Sequence, residues 1–93
     1  MLTVVVYDIS DNTQRSYLIK KLQFFGLKRI QKSVFIGYLK INERFDLAED
    51  LETYLSKETD SIIILPLCQS CKDSILLVGD ADIPEKYLNY RFL

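Results

Sequence analysis

Asp8 closes the apolar run Val4-Val5-Val6-Tyr7 just before Ser10-Asp11-Asn12 signals the start of a helix. A carboxylate at the mouth of a sheet must find water, a cation or a hydrogen-bond donor, because burying it unpaired costs more than one residue returns. Asp8 therefore reads as a metal ligand or as a helix-start anchor. The chain contains no His, which excludes Ser-His and Cys-His nucleophile pairs and imidazole metal sites. Hydrolysis would have to rest on carboxylates and a hard cation. Mg2+ accepts one or two carboxylates when waters and phosphate oxygens complete its shell. Asp11 is the nearest second acid and is better suited to capping the helix. Arg15 lies two turns ahead of Leu22 on one helix face, so its guanidinium comes near the end of the first strand. There it either meets what Asp8 binds or lays its stem over the core edge.

The segment Lys28-Arg29-Ile30-Gln31-Lys32-Ser33-Val34-Phe35 sets cations and hydrogen-bonding side chains beside an aromatic ring. Such a mixture holds a phosphate backbone without reading sequence, and it also describes a solvated strand edge. Its surroundings are basic. Residues 1–45 carry 8 Lys or Arg against 3 Asp or Glu, and residues 46–93 carry 4 against 10, so halves of +5 and −6 hide inside a net charge of −1. A chain that is basic throughout is excluded, whereas a local basic face for polyanions is not. Cys68-Gln69-Ser70-Cys71 offers two sulfurs, short of the four ligands of structural zinc. A redox role would want a helix start and a neighbouring charge, of which Lys72 is the one hint. Paired thiols, buried or half-buried, are the expectation.

These groups need a scaffold. Ninety-three residues make one domain that buries roughly 60 to 70% of its unfolded surface, enough for a core but not a generous one. With 48% hydrophobic and 27% charged residues and only three Gly and two Pro, the composition is globular, not that of a linker. The uncharged run from Met1 to Tyr7 is too short for a bilayer and lacks the basic start of a secretory signal, so a cytoplasmic protein without a membrane partner is expected.

Residues 2–7 read as a buried strand. Residues 12–25 follow as a helix, with Asp11 as cap, Leu18, Leu22 and Phe25 at helical spacing, and Gly26 as a left-handed stop. Residues 28–40 have strand character, interrupted at Gln31-Lys32-Ser33, which leaves one bent strand or two short ones. Leu47, Ala48, Leu51, Tyr54 and Leu55 trace one face of a second helix. Residues 61–67 and 75–78 complete the strands. The order β-α-β(β)-α-β-β suits an α+β fold of ferredoxin-like type, an antiparallel sheet with two helices on one face and a short C-terminal strand. Apolar triplets at Val4 to Val6 and Ile62 to Ile64 put side chains on both sheet faces, so the second face must also be covered. A homodimer packed sheet against sheet is the simplest cover, and a larger host complex is the alternative. The expected division is a domain over residues 1–79 and a tail over 80–93 that packs on the dimer partner, with Tyr87, Tyr90 and Phe92 adding to the interface.

Taken together, V-V-Y-D-I-S-D, G-L-K-R-I-Q-K-S-V-F-I-G, I-I-I-L-P-L-C-Q-S-C and L-L-V-G resemble the second CRISPR-associated protein family, Cas-two, over nearly the whole chain. The resemblance implies a ferredoxin-like homodimer acting with the Cas-one integrase in spacer capture. It also implies metal-dependent endonuclease activity on RNA or DNA. It assigns the family's strand-end acid to Asp8, as catalytic residue and as ligand of Mg2+ or Mn2+. Its helix arginine corresponds to Arg15, its second-strand arginine to Arg29, and Ser33 and Phe35 fall in its Q-x-S-V-F segment. A second helix arginine of some members is replaced here by Tyr17. The resemblance also splits residues 28–40 into two strands, about 28–32 and 34–40. If two such chains meet with strand ends adjacent, the two Asp8 carboxylates share one cation that relieves their repulsion. The competing expectation is a non-catalytic dimer that grips duplex DNA through Arg15, Lys20, Lys21, Lys28, Arg29 and Lys32. A toxin-like RNase or a regulatory module of ferredoxin-like fold is a third class, and single-stranded RNA is the alternative to duplex DNA as the expected nucleic-acid partner.

Overall fold

The β-branched run at the N-terminus forms β1 (Leu2–Asp8). In the computed structural model of the chain, which describes residues 1–87 and 90–92, β1 is flanked on both sides. Its neighbours are β3 (Val34–Tyr38) and β4 (Ser61–Leu67), with β2 (Lys28–Gln31) outside β3. All pairings in this sheet are antiparallel, in the order β2-β3-β1-β4. The interruption at Gln31 to Ser33 is a turn, and β2 carries a bulge between Arg29 and Gln31. Two strands are therefore present, as the resemblance implied.

Helix α1 (Asn12–Phe24) begins as its capping residues dictate: the Asp11 carboxylate accepts the Gln14 N–H at 2.8 Å. It ends at Gly26, whose φ of 84° is open to glycine at no steric cost. Helix α2 (Ile41–Leu51) starts earlier than its apolar stripe suggests. The Glu43 carboxylate accepts the N–H of Lys40 at 2.8 Å, an N-terminal fastening without Ser, Thr, Asp or Asn at the cap. The chain then tightens into a 3-10 turn over Glu52–Tyr54, which leaves Leu55 outside the helix and 40% exposed.

Both helices lie on one sheet face. Leu18 and Leu22 of α1 and Leu47 and Leu51 of α2 bury against Val5, Tyr7 and Phe35. The ferredoxin-like βαββαβ arrangement is thus observed, with the helix stripes meeting alternate residues of β1 and β3. The opposite face is covered in part by the chain itself. After β4 the chain forms α3 (Gln69–Asp73) and β5 (Leu76–Val78), and β5 pairs in parallel with β6 (Tyr90–Phe92) in a separate two-stranded sheet. Tyr87 buries against Leu2 and Ile36, with Ile75 and Ile83 half-buried beside them. The chain's own C-terminal arm thus reaches part of the face for which a homodimer is the simplest expected cover. Ile63 and Leu65 of β4 remain 51% and 45% exposed. Tyr90 and Phe92, expected to add to a dimer cover, have side chains outside the described residues. No described helix is long and apolar enough to cross a membrane.

Asp60 ties the turn before β4 to the end of β1. Its carboxylate accepts from the N–H groups of Ser56 at 3.0 Å, Ser10 at 3.1 Å and Lys57 at 3.1 Å, and from the Ser10 hydroxyl at 2.9 Å. The Ser56 and Ser10 amide bonds hold its pKa far below the ordinary value of 3.8. A depressed folded-state pKa gives stability that is complete above the unfolded value and is lost as pH falls below it. Asp60→Asn should therefore be less stable than wild type at neutral pH, with the gap closing as pH drops below 3.8 in acid-unfolding curves. A gap unchanged by pH would show that the charge contributes nothing.

Candidate nucleic-acid and metal site

The end of β1, the start of α1 and the β2–β3 turn enclose a cleft of about 290 Å³ lined by Asp8, Ile9, Arg15, Arg29, Lys32 and Ser33. Five of these are residues singled out in the sequence. Asp8 is the last residue of β1, paired in register with Ser61 of β4, and alternation along the strand puts it on the same face as Val4 and Val6. It is exposed, and among the described residues its carboxylate has no hydrogen bond or ion pair.

The basic side of the cleft is held by bonds that sequence reasoning missed. Tyr7, buried on the helix face, donates its hydroxyl to the Lys32 carbonyl at 3.0 Å. Arg29 donates to the same carbonyl through Nε at 3.2 Å and Nη2 at 2.8 Å, and Nη2 also reaches the Tyr7 hydroxyl at 3.4 Å. The Tyr7 N–H donates to the Ser33 carbonyl at 3.1 Å. One carbonyl thus gathers three donors and pins the Lys32-Ser33 turn to the strand that ends in Asp8. Backbone acceptors have no signal in sequence, so only the conjunction of Tyr7, Arg29 and a short turn could have hinted at this. The guanidinium carbon of Arg29 stands 5.8 Å from the Phe35 ring centroid. Its Nη1 has no protein partner among the described residues.

Arg15 takes a positioning role. Its Nη1 donates to the Ile9 carbonyl at 2.9 Å and its Nη2 to the Asn12 side chain, fastening the strand end to the helix start. It makes no ion pair with Asp8, since the single salt bridge among the described residues is Lys21 to Asp50 at 3.7 Å.

The remaining expectations are placed differently. Phe35 is 0% exposed, so it underlies Arg29 from the core and offers no ring to a base. Lys21 is engaged with α2, and Lys20 and Lys28 are exposed but do not line the cleft. Cys68 and Cys71, expected buried or half-buried, are both exposed, because the chain leaves β4 at Leu67 and turns into α3 at the surface. A wider groove of about 670 Å³ adjoins the cleft through Lys32 and Ser33. Its other charged residues are Asp80 and Asp82, which repel phosphate, so the smaller cleft is the better seat for a phosphodiester.

This sequence and geometry have known counterparts. A family model described as CRISPR associated protein Cas2 matches residues 1–75. The chain belongs to that family. A relative from Archaeoglobus fulgidus, named CRISPR-associated endoribonuclease Cas2 1, is 41% identical over 83 residues, covering 89% of this chain and 88% of that one. A relative of the same name from Methanospirillum hungatei is 31% identical over 77 residues, covering 83% and 81%. Among solved structures, a hypothetical protein from Thermus thermophilus aligns with a TM-score of 0.76 at 32% identity, covering 90% of this chain and 96% of that one. Streptococcus pyogenes Cas2 shares the fold, with a TM-score of 0.67 at 24% identity over 85% of this chain and 100% of that one.

The donors of the cleft fit a hard cation in kind. Asp8 supplies a carboxylate and Ser33 a hydroxyl, with no nitrogen or sulfur ligand in the lining. No group of three or more His, Cys, Asp or Glu able to hold a metal exists among the described residues. The cleft therefore offers a cation one carboxylate, and any further ligands would have to come from water, phosphate oxygen or a second chain.

Proposed function

We propose that this Cas2 chain works as a homodimer that handles nucleic acid during CRISPR adaptation and cleaves phosphodiesters with Mg2+ or Mn2+ at Asp8. The observation that carries this is Asp8 itself, exposed and unpartnered at the acidic end of a cleft whose other end is basic. When bound, the cation supplies charge neutralisation on phosphate and a water of lowered pKa. Asp8 holds it. Arg29, kept in place by Lys32 and Phe35, offers Nη1 to a phosphate oxygen, and Lys32 adds a second positive charge beside it. Arg15 fixes the strand end, so Asp8 does not drift from the basic side. The names of the relatives, endoribonucleases, favour RNA as the substrate. A dimer is supported by the exposed Ile63 and Leu65, which lie on the Asp8 face of the sheet. Docking there would set two Asp8 residues near a common axis.

A second reading, a non-catalytic adaptor that grips duplex DNA for the Cas-one integrase, is favoured by the exposed cations outside the cleft, Lys20 and Lys28, and by the single carboxylate in the cleft lining. One experiment separates the two. Wild type and the double variant Lys28→Glu/Lys32→Glu are given RNA and duplex DNA across a salt series, in Mg2+ and in excess chelator. Cleavage by wild type that chelator abolishes is the expected result. Salt-dependent duplex binding without cleavage in any metal would leave the adaptor. Under either reading the double variant should bind more weakly, with its log-log salt slope reduced by about 0.7–0.9 for each phosphate it no longer neutralises.

A further inference from the structure

Cys68 and Cys71 belong to neither the core nor the cleft. Both are exposed. Cys68 is the residue ahead of α3, with extended backbone at φ −68° and ψ 170°, and Cys71 is the third residue of the helix. In that register the side chain before the helix turns back over the first turn towards the third residue, the same approach that brings two side chains together in a capping box. The two thiols are thus neighbours across the first turn, although no side-chain hydrogen bond caps the helix. The proximity of Cys71 lowers the Cys68 pKa, and Cys68 in turn raises that of Cys71.

We propose that Cys68 and Cys71 form a reversible dithiol–disulfide site, oxidised by low-molecular-weight disulfides, at the junction between the sheet and the C-terminal arm. The Cys68 thiolate attacks one sulfur of the small disulfide; a Cys68 mixed disulfide forms and one small thiolate leaves. Cys71 then gives up its proton and attacks the Cys68 sulfur, and the second small thiolate leaves. Both cysteines are oxidised, one small disulfide is reduced, and the two protons end on the two small thiols.

Other uses of the pair fit less well. Two sulfurs fall short of a tetrahedral metal site, and no further ligand cluster stands among the described residues. The bond would close a loop of only four residues, so it removes little chain entropy and is a poor structural staple. Neighbouring charges leave the pair open: Lys72 extends over the Tyr38 ring at 6.0 Å, and Asp73 accepts the Gln69 amide at 2.8 Å. The location gives the bond leverage. Leu67 before the pair and Ile75 after it both pack half-buried on the second sheet face, beside the Tyr87 that the arm delivers there.

The test uses the full chain, equilibrated with glutathione and glutathione disulfide over a series of ratios, quenched with acid and weighed by mass spectrometry. Wild type should pass to a species lighter by two hydrogens, cross-linked within one chain. Cys71→Ser should accumulate a glutathione adduct on Cys68, and Cys68→Ser should form its adduct about tenfold more slowly. Wild type that stays a dithiol throughout, carries adducts without ring closure, or links between chains would overturn the proposal. Equal adduct rates in the two single variants would overturn the assignment of Cys68 as the attacking thiol. Both side chains are exposed, so neither serine variant is expected to disturb the fold.

Discussion

On the proposed mechanism, Asp8→Asn is expected to lower Mg2+-stimulated cleavage by at least about a hundredfold, since the amide keeps the shape of the side chain and removes the charge proposed to hold the cation. Its folding should barely change. Asp8 is exposed and its side chain has no partner among the described residues, so the stability effect should stay within about 0.5 kcal/mol. The backbone pairing of Asp8 with Ser61 does not involve the carboxylate and should survive. Cleavage assays in Mg2+ beside thermal melts and solution mass provide the check. Undiminished cleavage by a folded, correctly assembled Asp8→Asn protein would remove Asp8 from the mechanism. Loss of cleavage with spacer capture retained would separate the nuclease from the adaptor role.

Phe35→Ala should cost about 3–5 kcal/mol of folding stability, a large share of the roughly 5–15 kcal/mol available to a domain. The ring is 0% exposed among Val5, Tyr7 and the helix leucines, where truncation leaves a cavity that the sheet cannot close. In urea the midpoint should fall with the slope nearly unchanged, and Phe35→Leu should fall less. The ring also lies beneath Arg29, so a partly folded Phe35→Ala protein should bind nucleic acid less well than its folded fraction predicts. The alternative, a ring that stacks on bases, predicts the reverse pattern: normal stability with binding weakened by about 1–3 kcal/mol per stacked base. Urea unfolding and binding measured on the same preparation tell the two apart.

The elements that were legible in sequence are those whose signals are local. Strand β4 matches its apolar run from Ser61 to Leu67, and α1 starts at the residue that Asp11 caps. Helix α2 was legible only in its second half, because Lys40 carries none of the usual capping side chains and the fastening comes from Glu43. The five-residue helix that follows Cys68 and contains Cys71 was not legible. Its length is too short for a periodic stripe, and without it the exposure of the two thiols could not be foreseen.

What the sequence determined by itself was the order of strands and helices, the absence of histidine chemistry, the acid at the strand end and the bases that belong near it. Those follow from residue type and spacing along a chain. Only the tertiary structure decided that Phe35 supports Arg29 from inside, that three donors converge on the Lys32 carbonyl, and that the chain's own arm covers part of the second sheet face. The reason is physical. Backbone carbonyls look alike in every residue, and an apolar strand face states that it needs cover without stating which surface will supply it.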